Sequence, residues 1–185
     1  MRILLVDDEV KFASVLRSGL EEHGYAVDLA HDGEQGYHLA SVEPYDLVIL
    51  DCPPSVSLVS ENVLHVSDTV LSPLIPTTLS VRTLDQLTAF VDTAKKPPRL
   101  LGFFSMVDRR KRLHRDLVEQ LPIQRDNIAS AVIPALSLIE QMAAHRAPVP
   151  HFAPRSIASR CYEALFNEAL DGRRPAVARE PGADQ

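Results

Sequence analysis

Tyr45-Asp46-Leu47-Val48-Ile49-Leu50-Asp51-Cys52-Pro53-Pro54-Ser55 is the stretch on which the fold turns. Its four apolar residues, Leu47–Leu50, show no polar alternation and end in a carboxylate. A strand covered on both faces reads this way, and such strands belong to parallel sheets layered between helices. Upstream, residues 3–6 form a second apolar run that also ends in acid, Asp7-Asp8. Between the two, residues 11–22 place Phe12, Val15, Leu16 and Leu20 at helical spacing, with Gly24 as the stop. Residues 25–30 read as a strand and 33–42 as a helix that must end before Pro44.

Downstream the alternation continues with different punctuation. Residues 59–66 read as a short helix and 69–75 as a strand. Ser80 is placed to cap a helix whose apolar face is Val81, Leu84, Leu87, Phe90 and Val91. Residues 100–107 read as a strand, 113–121 as a helix and 128–133 as a shorter strand. Ser137 with Glu140 has the form of a capping box. Residues 156–170 form a last amphipathic helix, and 171–185 a disordered tail rich in Pro, Gly, Ala and charge. Strands alternating with helices predict an α/β fold: one domain over 1–170, a three-layer, doubly wound parallel sheet of about five or six strands, flavodoxin-like.

The net charge of -6 is unevenly spread. Residues 1–51 hold 11 Asp/Glu against 3 Lys/Arg; the rest of the chain is slightly basic. No apolar run approaches the roughly 18 residues of a membrane span. The N-terminus turns acidic too early for a signal peptide. The two cysteines, Cys52 and Cys161, have no metal or redox spacing, so a reduced, cytoplasmic protein is expected.

In a parallel sheet, ligands bind beyond the carboxyl ends of the strands. Asp7, Asp8 and Asp51 all fall there. Two unit charges about 4 Å apart repel by roughly 4 kcal/mol at an effective dielectric of about 20. Three such carboxylates call for a cation, and hard oxygen ligands suit Mg²⁺. The alternative is that the acids serve nearby helix N-termini and bind nothing.

Residues 1–51 closely resemble the first half of a bacterial response-regulator receiver domain. The resemblance is carried by Ile3-Leu4-Leu5-Val6-Asp7-Asp8-Glu9, Gly24-Tyr25-Ala26-Val27, Ala30-His31-Asp32-Gly33-Glu34 and 45–51. It implies that Asp7 and Asp8 help to hold Mg²⁺. It also implies that Asp51 accepts a phosphoryl group from a histidine kinase or small phosphodonor. After Asp51 the receiver pattern stops. Its Lys-Pro after the fifth strand is missing, since Lys96-Pro97 precedes that strand, and phosphorylation would then switch poorly.

From about Tyr45 to Leu170 the chain instead resembles the C-terminal part of the ParA/MinD partition ATPases. The carriers are 45–55, 76–84 (Pro76-Thr77-Thr78-Leu79-Ser80 onward), Met106-Val107-Asp108-Arg109-Arg110, Ile139-Glu140-Gln141-Met142 and Arg146-Ala147-Pro148-Val149. That resemblance places Asp51 on a Walker B strand and 106–108 near a nucleotide base. The family's glycine-rich phosphate loop is not matched, because Asp7-Asp8-Glu9-Val10-Lys11 follows the first strand and acids repel a triphosphate. The chain reads as a chimera joined at a strand both families share. Both parents claim one edge of the first strand, and the receiver order 2-1-3-4-5 is favoured because its first crossover is local.

Two functions follow. One is a receiver-like, Mg²⁺-dependent phosphoacceptor. The other is a partition-type protein without ATP hydrolysis, binding DNA or a protein partner. For the second, Arg109, Arg110, Lys111 and Arg112 are the candidate contacts to DNA or phosphate, against the plainer reading of a solvated helix start. Thr77 and Thr78 are candidate phosphoryl contacts, with helix capping the commoner use of such residues. A homodimer is left open.

Overall fold

The computed structural model describes residues 1–51, 64 and 66–171. Cys52, most of the helix expected over 59–66 and all of the tail expected over 171–185 except its first residue, which ends a helix, lie outside these residues. By its contacts the chain divides into two compact units, one of Met1–Val66 with Leu136–Ser156, the other of Ser67–Ala135 with Ile157–Gln185.

The first unit is built on β1 (Arg2–Val6), α1 (Val10–Glu22), β2 (Ala26–Ala30), α2 (Gly33–Val42) and β3 (Leu47–Leu50). The three strands are parallel, in the order β2-β1-β3. That is the expected receiver order for these strands. Ile3, Leu5, Ala13 and Val27 form the core, with Leu16, Leu20, Leu29 and Leu47 packed against it. The strands contribute alternate positions, as expected; of the stripe expected on α1, Leu16 and Leu20 pack here, whereas Phe12 and Val15 are 46% and 41% exposed and Ala13 is buried in the core instead. Gly24 supplies the φ of +82° that turns the chain out of α1, and its N–H bonds Glu21 O; a side chain would strain that conformation. The short helices α5 (Ser137–Glu140), α6 (Met142–His145) and α7 (Val149–Phe152) complete the unit. Ser137 does not cap: Leu136 holds the cap position of α5 and makes no side-chain bond.

The second unit holds β4 (Thr69–Leu74), α3 (Thr78–Val91), β5 (Arg99–Val107), α4 (Arg112–Gln124), β6 (Ile128–Pro134) and α8 (Ile157–Asp171). Its strands are also parallel, in the order β4-β5-β6. Leu74, Leu84, Leu100, Phe104, Val107, Leu121 and Ile128 form its core. Thr77, not Ser80, caps α3: its Oγ1 accepts the Ser80 N–H at 3.2 Å. α8 is tied to β6 by Glu168, whose carboxylate accepts the N–H groups of Ser130 and Ala131 at 2.8 and 2.9 Å.

The α/β class and the parallel pairing are as expected. The continuity of the sheet is not: the six described strands form two three-stranded sheets rather than one. Both edges of β1 are taken, by β2 and β3, as in the order 2-1-3-4-5, but among the described residues β3 pairs only with β1 and β4 only with β5.

Candidate functional site

At the carboxyl end of the first sheet, Asp7 follows β1 and Asp51 follows β3. Parallel pairing carries the ladder to this point, with Asp51 N–H on Val6 O and Asp7 N–H on Ala30 O, both at 3.0 Å. Asp7 is 3% exposed. Its Oδ1 accepts the Glu9 N–H at 2.8 Å, while its Oδ2 is buried with no hydrogen-bond partner among the described residues. Asp8 and Asp51 are exposed. Among the described residues no group of three or more His, Cys, Asp or Glu is placed to hold a metal ion. The three-carboxylate cage expected from the sequence is therefore not preformed: one acid turns inward and two remain in water, the arrangement that lowers mutual repulsion. Mg²⁺ needs fewer protein ligands than a cage, since it keeps water and takes one or two carboxylates. The orphaned Asp7 oxygen is a suitable hard donor for it.

The second cluster lies where β5 leaves the other sheet. Met106 takes a φ of +55° beside a shift in the β5–β6 register and is 58% exposed. The chain then turns through Asp108, whose N–H donates to Nδ1 of buried His114 at 3.1 Å. That bond makes Nδ1 the acceptor and so sets the proton on Nε2. The Asp108 carboxylate accepts the backbone N–H of Arg110 and both Nε and Nη2 of its guanidinium, each at 3.0 Å. The Arg110 side chain, then its backbone N–H, pulls the Asp108 carboxyl down to about 2.

Arg109, Arg110, Lys111, Arg112 and Arg115 are all exposed. Arg112 is loosely paired with Asp116 at 3.6 Å. Among the described residues Arg109, Lys111 and Arg115 have no ion pair. Thr77 and Thr78 stand at the start of α3 in this unit. The Thr77 hydroxyl is engaged with Ser80, through its N–H and at 3.0 Å its Oγ, whereas Thr78 is exposed. Sequence reasoning passed over His114 and the Asp108–Arg110 clamp. The Asp-x-Arg spacing was the available signal, because Asp side chains commonly bond the N–H two residues on.

A family model described as an AAA domain matches residues 5–100. The chromosome-partitioning ATPase Soj of Treponema pallidum is 25% identical over 173 residues, covering 85% of this chain and 67% of that protein. The transcriptional regulatory protein CusR of Escherichia coli is 53% identical over 51 residues, which is 28% of this chain and 22% of that protein. Among solved structures, a putative plasmid partition protein from Borrelia burgdorferi bound to AMPPNP superposes with a TM-score of 0.67 at 16% identity. The match covers 92% of this chain and 86% of that one. The chain thus spans between about a fifth and two-thirds of the length of these curated relatives. No described helix is long and apolar enough to cross a membrane.

Proposed function

Since the chain belongs to the AAA-domain family and has the fold of the ParA/MinD partition ATPases, we propose that it is a partition-type module that binds DNA without hydrolysing nucleotide. One observation carries this reading: five exposed cations lie within Arg109–Arg115, three of them with no ion pair among the described residues, at the carboxyl end of β5. Such a run attracts phosphate regardless of base sequence. Hydrolysis is left out because the acids after β1 would repel the phosphates a nucleotide site must grip. The test is the mobility of random duplex DNA at about 50 mM salt. The wild type is expected to retard it. A triple Arg109→Ala, Lys111→Ala, Arg115→Ala variant is expected not to. Equal retardation by both proteins would refute the reading.

A second reading is favoured by the orphaned Asp7 oxygen. Asp7, with Asp8 and Asp51, would hold Mg²⁺, and Asp51 would accept a phosphoryl group from a histidine kinase or small donor. The ion would supply charge neutralisation at the incoming phosphoryl group. Burial of Asp7 keeps that carboxylate fixed, and exposure of Asp51 leaves it open to the donor. Acetyl phosphate with Mg²⁺ is expected to raise the intact mass by one phosphoryl group, and not in Asp51→Asn. An equal gain in that variant would rule out Asp51.

A further inference from the structure

The cations of the basic run are not equivalent. Arg110 is held on three sides by one carboxylate, through a turn in its own backbone and a two-pronged bond to its guanidinium. Bidentate pairs of this kind are among the stronger charge-assisted bonds. The carboxylate is itself fixed, because the Asp108 N–H is spent on buried His114 and the Asp108 carbonyl accepts the Lys111 N–H at 3.1 Å. Arg109 and Lys111 flank Arg110 and Arg115 lies one turn into α4, all three without a carboxylate partner among the described residues. A guanidinium already neutralised releases no counterion from DNA unless its own partner lets go.

We infer that Asp108 sets the strength of polyanion binding by withholding Arg110, so that Arg109, Lys111 and Arg115 make the phosphate contacts and Arg110 makes none. The inference rests on the DNA reading above and adds to it a residue whose removal strengthens binding. Asp108→Asn is the informative change. The amide keeps an oxygen to accept the Arg110 N–H, so the turn survives, but it loses the charge that holds the guanidinium.

The experiment is the affinity for random duplex DNA, by fluorescence anisotropy, across a salt series. Each phosphate contact contributes about 0.9 to the slope of log K against log salt. Arg109→Ala and Lys111→Ala are each expected to lower that slope by about 0.9, and Arg110→Ala to leave it unchanged. Asp108→Asn is expected to steepen it by about 0.9 and to tighten binding roughly five- to tenfold at about 0.1 M salt. In Asp108→Asn with Arg110→Ala the gain is expected to vanish. A gain that persists in the double variant would mean that only the local field had changed, and would overturn the inference. So would an Arg110→Ala loss as large as that of Arg109→Ala. Either result leaves DNA binding standing, whereas a wild type that binds no DNA at low salt removes both readings. Unchanged thermal melting of Asp108→Asn would show that the turn is intact; a lowered melting point together with weakened binding also counts against the inference.

Discussion

Asp7 and Asp108 are both carboxylates at strand ends, and their surroundings give them opposite parts. Asp7 is buried with one oxygen unsatisfied among the described residues, and such a group costs about 1–3 kcal/mol. Asp7→Asn is therefore expected to leave stability unchanged or raise it by about 1 kcal/mol without Mg²⁺. It is also expected to abolish any rise in melting temperature that millimolar Mg²⁺ gives the wild type; a rise of the same size in the variant would remove Asp7 as a ligand. Asp108 is satisfied by Arg110 and titrates at about 2 instead of 3.8. A depressed carboxyl stabilises the fold above the unfolded value, and that contribution is lost as pH falls through about 2. An NMR titration of the Asp108 carboxyl should give a midpoint near 2 in the wild type and a higher one in Arg110→Ala, still held down by the backbone N–H of residue 110; equal midpoints would deny the clamp. The acid pair was legible in the sequence because it ends an apolar run. The sequence does not tell which acid turns inward, since that depends on the Glu9 N–H reaching back to Asp7.

The elements were more legible than their ends. Every described strand and long helix follows from apolar runs, helical spacing and a few stop residues. The caps did not follow, because several hydroxyls near a helix start compete and backbone geometry chooses among them. Thr77 wins over Ser80, and Ser137 makes no cap at all. The tie between α8 and β6 was hidden for a similar reason: Glu168 reads as one more polar residue on an amphipathic helix. Its carboxylate nevertheless covers two N–H groups of a sheet edge, as an added strand would. Glu168→Ala is expected to cost about 2 kcal/mol and to speed hydrogen exchange most at Ser130 and Ala131; unchanged protection there would mean that water replaces the carboxylate without loss. Gly102, in the middle of β5, lies where an added Cβ would come within 3.0 Å of both Leu74 and Leu84. Gly102→Ala is expected to overpack that contact and cost about 1–3 kcal/mol in urea denaturation. A neutral result would show that the leucines can move aside.

At the scale of the whole molecule, alternating strands and helices made the α/β class readable, and the charge step near Asp51 marked a change of character along the chain. The division of the described strands into two sheets could not be read, because whether β3 and β4 pair is not a property of either segment alone. The division has an energetic consequence. The two apolar clusters share no residue: Leu5 sits in one and Leu84 in the other, each 1% exposed. Each truncation to alanine removes buried methyl groups and leaves a cavity, at about 2–5 kcal/mol. Segments that open together show their shared stability in amide exchange. Leu5→Ala is therefore expected to speed exchange in β1, β2 and β3 while leaving β4, β5 and β6 near their original protection, and Leu84→Ala to do the reverse. The double variant should equal the sum of the single effects to within about 0.5 kcal/mol if the two clusters open independently. If either single change speeds exchange equally in both sets of strands, the two clusters form one cooperative unit, and the split between the sheets is a matter of hydrogen bonding alone.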